Sequence, residues 1–285
     1  MKRYLMFVLT FLGASPAFAD PAPRTLGREK VKQTTSYIDA LHKKGLRRYD
    51  NITVKDVDAK CSHYCIRIED NSGPVTVKGG TWRHNGTPDK ISGVFANVNG
   101  RMIVDGVTAT GNYDPKVTPK ARFPNEDGIM AAQRTFLTVN GGTFRDFWDA
   151  GIDTKATTVM TGTVTVENSR VSLKVWGPLV GDTLVSRNPR DGNVSCLQSP
   201  VVTCNIYLKK LVVWDTNPNG LLIGFQGSDG VVAIGACELH VPSTYRVRWD
   251  KVGNKNTKIF LGPSCVKGGK VVVASPAPTS PQLRR

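Results

Sequence analysis

The chain has 285 residues, of which 40% are hydrophobic and 21% are charged, a balance typical of a folded globular protein and not of a disordered one. No apolar run reaches the ~18 residues that a membrane-spanning helix needs, so the sequence predicts no membrane span. The 38 Lys and Arg residues exceed the 23 Asp and Glu residues, and the resulting formal charge of +15 favours polyanionic partners.

The N-terminus has the pattern of a secretory signal peptide. Lys2 and Arg3 precede an apolar stretch at residues 4–12, and Ala17-Phe18-Ala19 supplies the small-x-small cleavage pattern. The sequence therefore predicts a signal peptide over residues 1–19 and a secreted or periplasmic protein. At the other end, residues 275–285 are rich in proline and lack periodicity, which predicts a disordered tail.

Between these ends the sequence predicts one domain over residues 20–274. Near its start, residues 26–46 carry Val31, Ile38 and Leu41 among charged residues. This spacing is typical of an amphipathic α-helix. We expect this helix to cap the open apolar end of the repeats that follow, as terminal segments of repeat proteins do.

A short pattern recurs through the domain: two apolar residues flank a single residue, and small or polar residues then precede another apolar position. Its copies begin at Ile52, Val75, Met102, Leu137, Val164, Ile206, Val232 and Ile259. Alternation of apolar and polar residues within each copy is typical of a short β-strand with one buried face. A second strand follows most copies, usually after a glycine, as in Gly128-Ile129 and Gly151-Ile152.

About eight such copies without intervening helices favour a solenoid of parallel stacked coils. An antiparallel sandwich, which also contains many short strands, is the alternative. The intervals from Met102 to Leu137 and from Val164 to Ile206 are longer than the others. Because insertions between coils usually form surface loops, we expect loops at residues 111–126 and 178–204.

The six cysteines of a predicted exported chain favour three disulfides. Pairing each cysteine with its neighbour in sequence or in repeat position predicts three bonds: Cys61–Cys65, Cys196–Cys204 and Cys237–Cys265. Six cysteines allow other pairings, which the sequence alone does not exclude.

The coil length, the Asn and Gly turn positions and the second strands Asp127-Gly128-Ile129 and Gly151-Ile152-Asp153 resemble the pectate-lyase-like right-handed parallel β-helix superfamily. The resemblance covers residues 26–274. It implies an all-β, single-stranded right-handed parallel β-helix of a secreted carbohydrate-active type. Because the superfamily contains lyases, hydrolases, esterases, epimerases and non-enzymes, the resemblance does not select an activity.

Aligning the second strands on the apolar residue after glycine predicts a ladder of outward-facing side chains. Because neighbouring coils lie ~4.8 Å apart, the ladder places Asp153, Lys155, Lys174 and Trp176 in one exposed cluster near the middle of the solenoid. In this basic groove, cations would hold uronate carboxylates and indole rings would stack on sugars. Besides Trp176, the substrate-binding candidates are Arg67, Trp148, Arg246 and Arg248.

Polysaccharide lyases of the resembled superfamily act by β-elimination, in which a Lys or Arg removes the proton beside the uronate carboxylate. The resemblance implies Lys155 as the general base, with Asp153 nearby and Lys174 as a cation that lowers the pKa of Lys155. Ca²⁺ is the candidate cofactor, with Asp149, Asp153 and Glu126 as oxygen ligands. The sequence shows no dense acidic cluster of the calcium-lyase type, so this metal remains a conditional expectation.

Two other functions stay open. Asn125-Glu126-Asp127 resembles the Asn-x-Asp segment of polygalacturonase-like glycosidases, and Asp149 and Asp153 would complete the carboxylates that a hydrolase needs. The adjacent Asp-Asp pair and the Gly-His-Gly segment of that family are missing. A non-catalytic polysaccharide-binding or structural β-helix would keep the basic groove without a catalytic base. In each case we expect a monomer with an acidic polysaccharide as its partner, and no nucleic acid.

Overall fold

The architecture was examined in a computed structural model, which places part of the chain firmly enough to describe. The described residues are 24–26, 30–34, 52–68, 74–87, 91–119, 124–198, 202–227, 229–250 and 256–265, with only the backbone of 24–26, 30–34 and 249–250. The predicted signal peptide and the predicted C-terminal tail lie outside them.

Two sheets, in which every strand pairing is parallel, make up the fold. The main path of the first sheet consists, in spatial order, of β1 (Arg24–Leu26), β3 (Ile52–Lys55), β6 (Pro74–Lys78), β9 (Arg101–Asp105), β12 (Phe136–Arg145), β14 (Thr157–Glu167), β16 (Pro178–Arg187), β18 (Cys204–Trp214), β20 (Asp229–His240) and β22 (Asn256–Leu261). Its side branch consists of β2 (Lys30–Thr34), β4 (Asp58–Cys61), β7 (Thr81–His84) and β10 (Thr108–Thr110).

The second sheet has eight strands. In chain order they are β5 (Ile66–Ile68), β8 (Ser92–Asn97), β11 (Glu126–Ala131), β13 (Ala150–Thr154), β15 (Val171–Val175), β17 (Gly192–Leu197), β19 (Leu221–Gln226) and β21 (Arg246–Asp250). From β11 onward the chain alternates between the two sheets. Each turn of the chain thus adds one strand to each sheet, which is the arrangement of a β-solenoid.

The core lies between the sheets, where side chains of equivalent coils stack in register. In the second sheet Ile129 pairs with Ile152, Ile152 with Leu173, and Leu173 with Val194, and all four are fully buried. Since alternate residues of a strand face the same side, this stacking follows from the apolar alternation in the sequence. The prediction of an all-β fold of parallel stacked coils is therefore confirmed.

The predicted capping helix over residues 26–46 is not seen. Residues 30–34 form β2 instead, which pairs in parallel with β4, so that part of the helix prediction is wrong. The backbone N–H and C=O groups of a first coil need partners, and an added strand supplies them where a helix would not. Residues 35–46 lie outside the described part of the chain. No helix among the described residues is long and apolar enough to cross a membrane.

The loop predicted at residues 178–204 is also corrected, because β16 and β17 form a further coil there. The sequence pattern missed this coil because Gly181 occupies the inward position that pairs with the buried Met160, so this copy lacks its second apolar residue. In the preceding coil, Thr158 and not an apolar residue occupies the inward position that pairs with Leu179. Thr158 is fully buried and its hydroxyl lies 2.7 Å from that of Thr154, which satisfies both groups. A polar pair inside the core therefore shifted the predicted start of the repeat to Val164.

Three disulfides form in the predicted pairs, Cys61–Cys65, Cys196–Cys204 and Cys237–Cys265. The second joins β17 to β18 of one coil and does not staple a long loop. Three disulfides in a chain of this size are typical of an oxidising extracellular or periplasmic compartment.

Corner glycines provide a test of the coil geometry. Gly80 and Gly106 both have positive φ, 78° and 61°, but a Cβ on Gly80 would lie 2.2 Å from the carbonyl oxygen of Val57, whereas one on Gly106 would contact nothing within 4 Å. We expect Gly106→Ala to cost about 1–2 kcal/mol through backbone strain alone. Gly80→Ala should cost about 1–3 kcal/mol more, because backbone must move. Denaturant unfolding of both variants measures the difference. Equal losses would contradict the close approach of the Val57 carbonyl oxygen to Gly80.

Candidate functional site

Three carboxylates and one lysine meet on the outer face of the second sheet; we call Asp127, Asp149, Asp153 and Lys174 the acid cluster. Asp153 in β13 pairs in register with Lys174 in β15, as the predicted ladder requires. The Nζ atom of Lys174 lies 2.7 Å from Oδ2 of Asp149 and 2.9 Å from Oδ2 of Asp153. All three aspartates are buried.

Asp127 is the carboxyl group without a cation of its own in the cluster. Its Oδ1 accepts a hydrogen bond from the backbone N–H of Ala150 at 2.9 Å. Burial raises the pKa of Asp127 well above its usual range, and the negative charges of Asp153 and Asp149 raise it further. Lys174 and the Ala150 N–H oppose this without reversing it. The carboxyl of Asp127 therefore keeps its proton at a pH where an ordinary aspartate has lost it.

Lys174 is a fixed cation. Burial by itself lowers the pKa of its ammonium, but Asp153, Asp149 and Asp127 together raise it above the usual lysine value. The ammonium consequently stays charged at neutral pH and forms ion pairs with Asp149 and Asp153. A lysine in this state does not act as a base.

The remaining members of the predicted catalytic group surround the acid cluster. The indole N–H of Trp176 donates to Oδ1 of Asp153 at 2.9 Å, and the Nζ atom of Lys155 lies 5.0 Å from the centre of the Trp176 ring. Arg170 adds a second cation, with its guanidinium 3.2 Å from Oδ1 of Asp149. The structure thus brings Lys155, Lys174, Asp153 and Trp176 together, with the ammonium of Lys155 on the indole.

Glu126, predicted as a calcium ligand, lies apart from the acid cluster. Its carboxylate bonds the buried ring of His84 and accepts backbone N–H groups from Asn112 and Trp148, each at 3.1 Å. Adjacent residues of a strand face opposite sides, so Glu126 and Asp127 cannot both join one cluster. The third carboxylate beside Asp149 and Asp153 is therefore that of Asp127 and not that of Glu126.

The donor set of the acid cluster could hold a metal ion. One ligand atom from each of Asp127, Asp149 and Asp153 lies within 4.8 Å of the others, and carboxylate oxygens suit a hard cation such as Ca²⁺. The ammonium of Lys174 lies among the same oxygens. A metal ion and the charged lysine would therefore compete for them.

Trp148 is only 8% exposed and packs under neighbouring side chains. Its ring meets that of Tyr113 edge-on at 4.9 Å. Arg190 covers the Tyr113 ring at 3.4 Å and donates to the carbonyl oxygens of Phe147 and Trp148. The indole predicted to stack on a sugar ring is therefore largely enclosed.

Beyond Lys174 the outward ladder continues with Ser195 and Gly224. These small residues form the floor of a groove of about 420 Å³, which we call the arginine groove. Its polar lining includes Arg170, Arg190, Arg246, Asn217, Asn219 and Gln226. Since Arg170 also contacts Asp149, the groove and the acid cluster adjoin.

The three remaining predicted cations occupy different places. Arg246 borders the arginine groove and donates to the carbonyl oxygen of Asn219 at 2.9 Å. Arg248 pairs in register with the inward-facing Ile223 and donates to Thr257 Oγ1 at 2.6 Å. Arg67 lies on β5, with its guanidinium 5.9 Å from the ring of Tyr64. Because the prediction omitted β17, it aligned the coils after Lys174 incorrectly.

Sequence reasoning missed Tyr64, Arg170 and Arg190. Tyr64 sits inside the Cys61–Cys65 disulfide loop, and this spacing of cysteines was the one signal that could have drawn attention to it. Arg170 and Arg190 follow strands β14 and β16, and β16 lay within a predicted loop. Their position beside the cluster depends on how the coils stack.

Comparison of the chain with protein-family models, with curated proteins and with solved structures found no match. The class of protein is therefore described from its fold and its site. They describe a disulfide-bonded parallel β-solenoid that carries a buried acid cluster beside an arginine-lined groove.

Proposed function

We propose that the protein hydrolyses an acidic polysaccharide that lies across the outer face of the second sheet. One observation carries the proposal: three buried carboxylates share a single site, and the pKa of one of them, Asp127, is raised well above its usual range. Glycosidases need a protonated carboxyl as acid and an ionised carboxylate as base, and their environments must differ to keep them so.

The roles follow from the electrostatics. Asp127, protonated, donates its proton to the oxygen of the leaving sugar. Asp149 and Asp153, which form ion pairs with Lys174, stabilise the positive charge that develops on the sugar ring, and one of them takes a proton from the attacking water. Asp127, which has no such ion pair in the cluster, keeps its proton.

The preference for an acidic polymer rests on the arginine groove. Arg170, Arg190 and Arg246 border it, and planar guanidinium groups bind carboxylates through paired hydrogen bonds. Asn217 and Asn219 offer further hydrogen bonds to sugar hydroxyls. The formal charge of +15 would also attract a polyanion from a distance.

The test is an assay of new reducing ends on a panel of uronate polymers and on neutral polymers of the same linkage. Release from one uronate polymer and none from its neutral counterpart supports the proposal. Binding of a uronate polymer without cleavage would leave a non-catalytic binding protein and overturn the hydrolase.

β-Elimination with Lys155 as base is the second candidate. The ammonium of Lys155 lies on the Trp176 ring at the edge of the acid cluster, where a sugar on this face would pass. Its product is an unsaturated uronate, which absorbs in the ultraviolet. Absorbance that rises in the same incubations, with or without calcium, and vanishes in Lys155→Ala would favour this reaction over hydrolysis.

Arg246→Gln provides a prediction about the groove. Loss of one charge-assisted hydrogen bond to a carboxylate costs about 1.5–3 kcal/mol, so we expect the Kd for a uronate oligomer to rise about tenfold or more. Calorimetric titration measures this change. Arg101→Gln, a change on the first sheet where Arg101 lies over Phe136, should leave the Kd unchanged. Equal effects of the two substitutions would point to general charge attraction and not to a groove.

We further propose that the solenoid is right-handed and of the pectate-lyase-like type, because crossovers between parallel strands are right-handed in nearly all proteins. The three disulfides and the predicted N-terminal signal also support export of the chain. Acidic polysaccharides outside the cytoplasm would then be the accessible substrates.

A further inference from the structure

Tyr64 is a buried tyrosine that the proposed reaction has not yet used. Tyr64 is only 3% exposed, and its hydroxyl has no hydrogen-bond partner among the described residues. A buried hydroxyl without a partner is unfavourable, and most such groups in proteins bind an ordered water or another polar group.

The Cys61–Cys65 disulfide holds Tyr64 at the second sheet. The loop closed by this bond has only three residues between its cysteines. Its backbone is tied to β8 by two hydrogen bonds, from Cys65 N–H to Val94 and from Gly93 N–H to His63. Gly93 in turn lies so close to the carbonyl of Asp127 that a Cβ there would be 2.0 Å from this oxygen. The loop therefore places Tyr64 beside β8, one strand away from β11 and Asp127, with Gly93 and no side chain in between.

The register of the strands brings Tyr64 towards the acid cluster, because Gly93, which bonds the Tyr64 loop, pairs with Asp127. The pKa of Tyr64 is raised to about 12, mainly by burial and then by the charge of Asp127, with a smaller increase from Asp153 and with Arg67 acting in the opposite direction. Two members of the cluster thus act on the phenol although neither bonds it directly. The phenol keeps its proton across the neutral range and can donate a hydrogen bond.

We propose that the hydroxyl of Tyr64 and the carboxyl groups of Asp127 and Asp153 together bind one water molecule, held ready for attack on the bound sugar. Oδ1 of Asp127 accepts the Ala150 N–H. Both oxygens of Asp153 already have partners, the Trp176 N–H on Oδ1 and the Lys174 ammonium on Oδ2, but a carboxylate oxygen can accept a second hydrogen bond. These three groups would give the water the two to four partners that a buried water requires.

The use of this water rests on the proposed hydrolysis. Its oxygen forms a bond to the anomeric carbon, and the bond from that carbon to the leaving sugar oxygen breaks. The water gives one proton to the carboxylate of Asp153, and Asp127 gives its proton to the leaving oxygen. Atoms and charge balance without any further reactant.

Crystal structures of the wild type and Tyr64→Phe test the water site without any substrate. We expect density for one water within hydrogen-bond distance of the tyrosine oxygen and a carboxylate in the wild type, and its loss or displacement in Tyr64→Phe. Tyr207→Phe, on the first sheet, is the matched control and should keep the water. Wild-type density that is empty at this point, or a water that stays in place in Tyr64→Phe, would overturn the proposal. The wild-type density decides even where a variant fails to fold.

Kinetics then separate the water site from the reaction. On a polymer that the wild type cleaves, Tyr64→Phe should lower kcat about a hundredfold and change KM less than twofold, since the phenol orients the water and not the sugar. A wild-type kcat in Tyr64→Phe would overturn the role of the water in attack. If the water is ordered but the protein cleaves no polymer, the water site is confirmed and the proposed hydrolysis is overturned.

Discussion

Asp127→Asn should abolish hydrolysis while leaving the fold intact. General acid catalysis contributes about 10²–10⁴-fold to such reactions, so we expect kcat to fall about a thousandfold. Asparagine has nearly the shape of a protonated aspartate and can still accept the Ala150 N–H through its carbonyl oxygen. Unlike the carboxyl, it has no proton to give to the leaving sugar. Reducing-end assays at saturating substrate measure the loss.

The same substitution has a consequence for stability that needs no substrate. The pKa of Asp127 is raised in the folded protein, so its neutral form contributes stability that is fully present below the unfolded pKa. That contribution is lost as the pH rises through the folded pKa. Asp127→Asn cannot ionise, so its stability relative to the wild type should increase with pH. Denaturant unfolding over a pH series measures this difference.

Asp105→Asn is the matched control for both measurements. Asp105 lies at a corner of the first sheet, 3.3 Å from Lys78. We expect it to retain wild-type kcat and a pH profile parallel to that of the wild type. Full activity in Asp127→Asn would remove Asp127 as the acid. A pH profile in that variant parallel to the wild type would mean that the carboxyl is not held protonated.

Lys174→Met should strongly destabilise the protein. The side chain of Lys174 is only 14% exposed, and it is the shared partner of Asp149 and Asp153. Removal of one partner from a buried ion pair costs about 3–5 kcal/mol, because the other charges are left uncompensated. We expect a loss of this size in the free energy of unfolding at pH 7.

The raised pKa of Lys174 sets the pH range over which this loss of stability should be observed. The pKa of Lys174 is raised, so its stabilising charge is fully present below the usual lysine pKa and is lost only as the pH rises through the raised value. The wild type should therefore keep this contribution throughout the neutral range. The deficit of Lys174→Met should therefore persist throughout the neutral range. Chemical unfolding at several pH values measures both curves.

Lys210→Met provides the comparison for an exposed pair. Lys210 lies 2.9 Å from Glu238, but its side chain is 43% exposed, and surface pairs of this kind contribute about 0–1 kcal/mol. A loss in Lys174→Met as small as that in Lys210→Met would mean that water, and not the lysine, compensates the two aspartates. Adding Asp153→Asn to Lys174→Met should recover part of the stability, because it removes the charge left uncompensated, whereas Asp149 keeps its ion pair with Arg170.

Much of the fold could be predicted from local patterns. Alternating apolar residues in copies such as Val75-Thr76-Val77 place one face of each strand in a core, whatever the neighbouring coils contain. The same reasoning predicted the three disulfides, because cysteines close in sequence or in repeat position are also close in a solenoid. It failed at Gly181, which hides one coil, and at Thr158, where a buried hydroxyl pair replaces an apolar contact and shifts the predicted start of a repeat.

The acid cluster, like the fold, could be predicted from the sequence only in part. Asp153 beside Lys174 was predictable, because one strand neighbours the next in register. Whether Glu126 or Asp127 joins the acid cluster depended on which side of β11 each residue faces. The position of Tyr64 depended on a loop whose direction no periodic pattern describes.

The sequence by itself determined the all-β class, the parallel stacking and the excess of positive charge, because these follow from composition and from repetition along the chain. Only the tertiary structure decided that Asp127, Asp149 and Asp153 share one buried site and that Asp127 keeps its proton there. A pKa depends on burial and on charges brought near from other coils, and neither is set by the residues next to Asp127 in the chain.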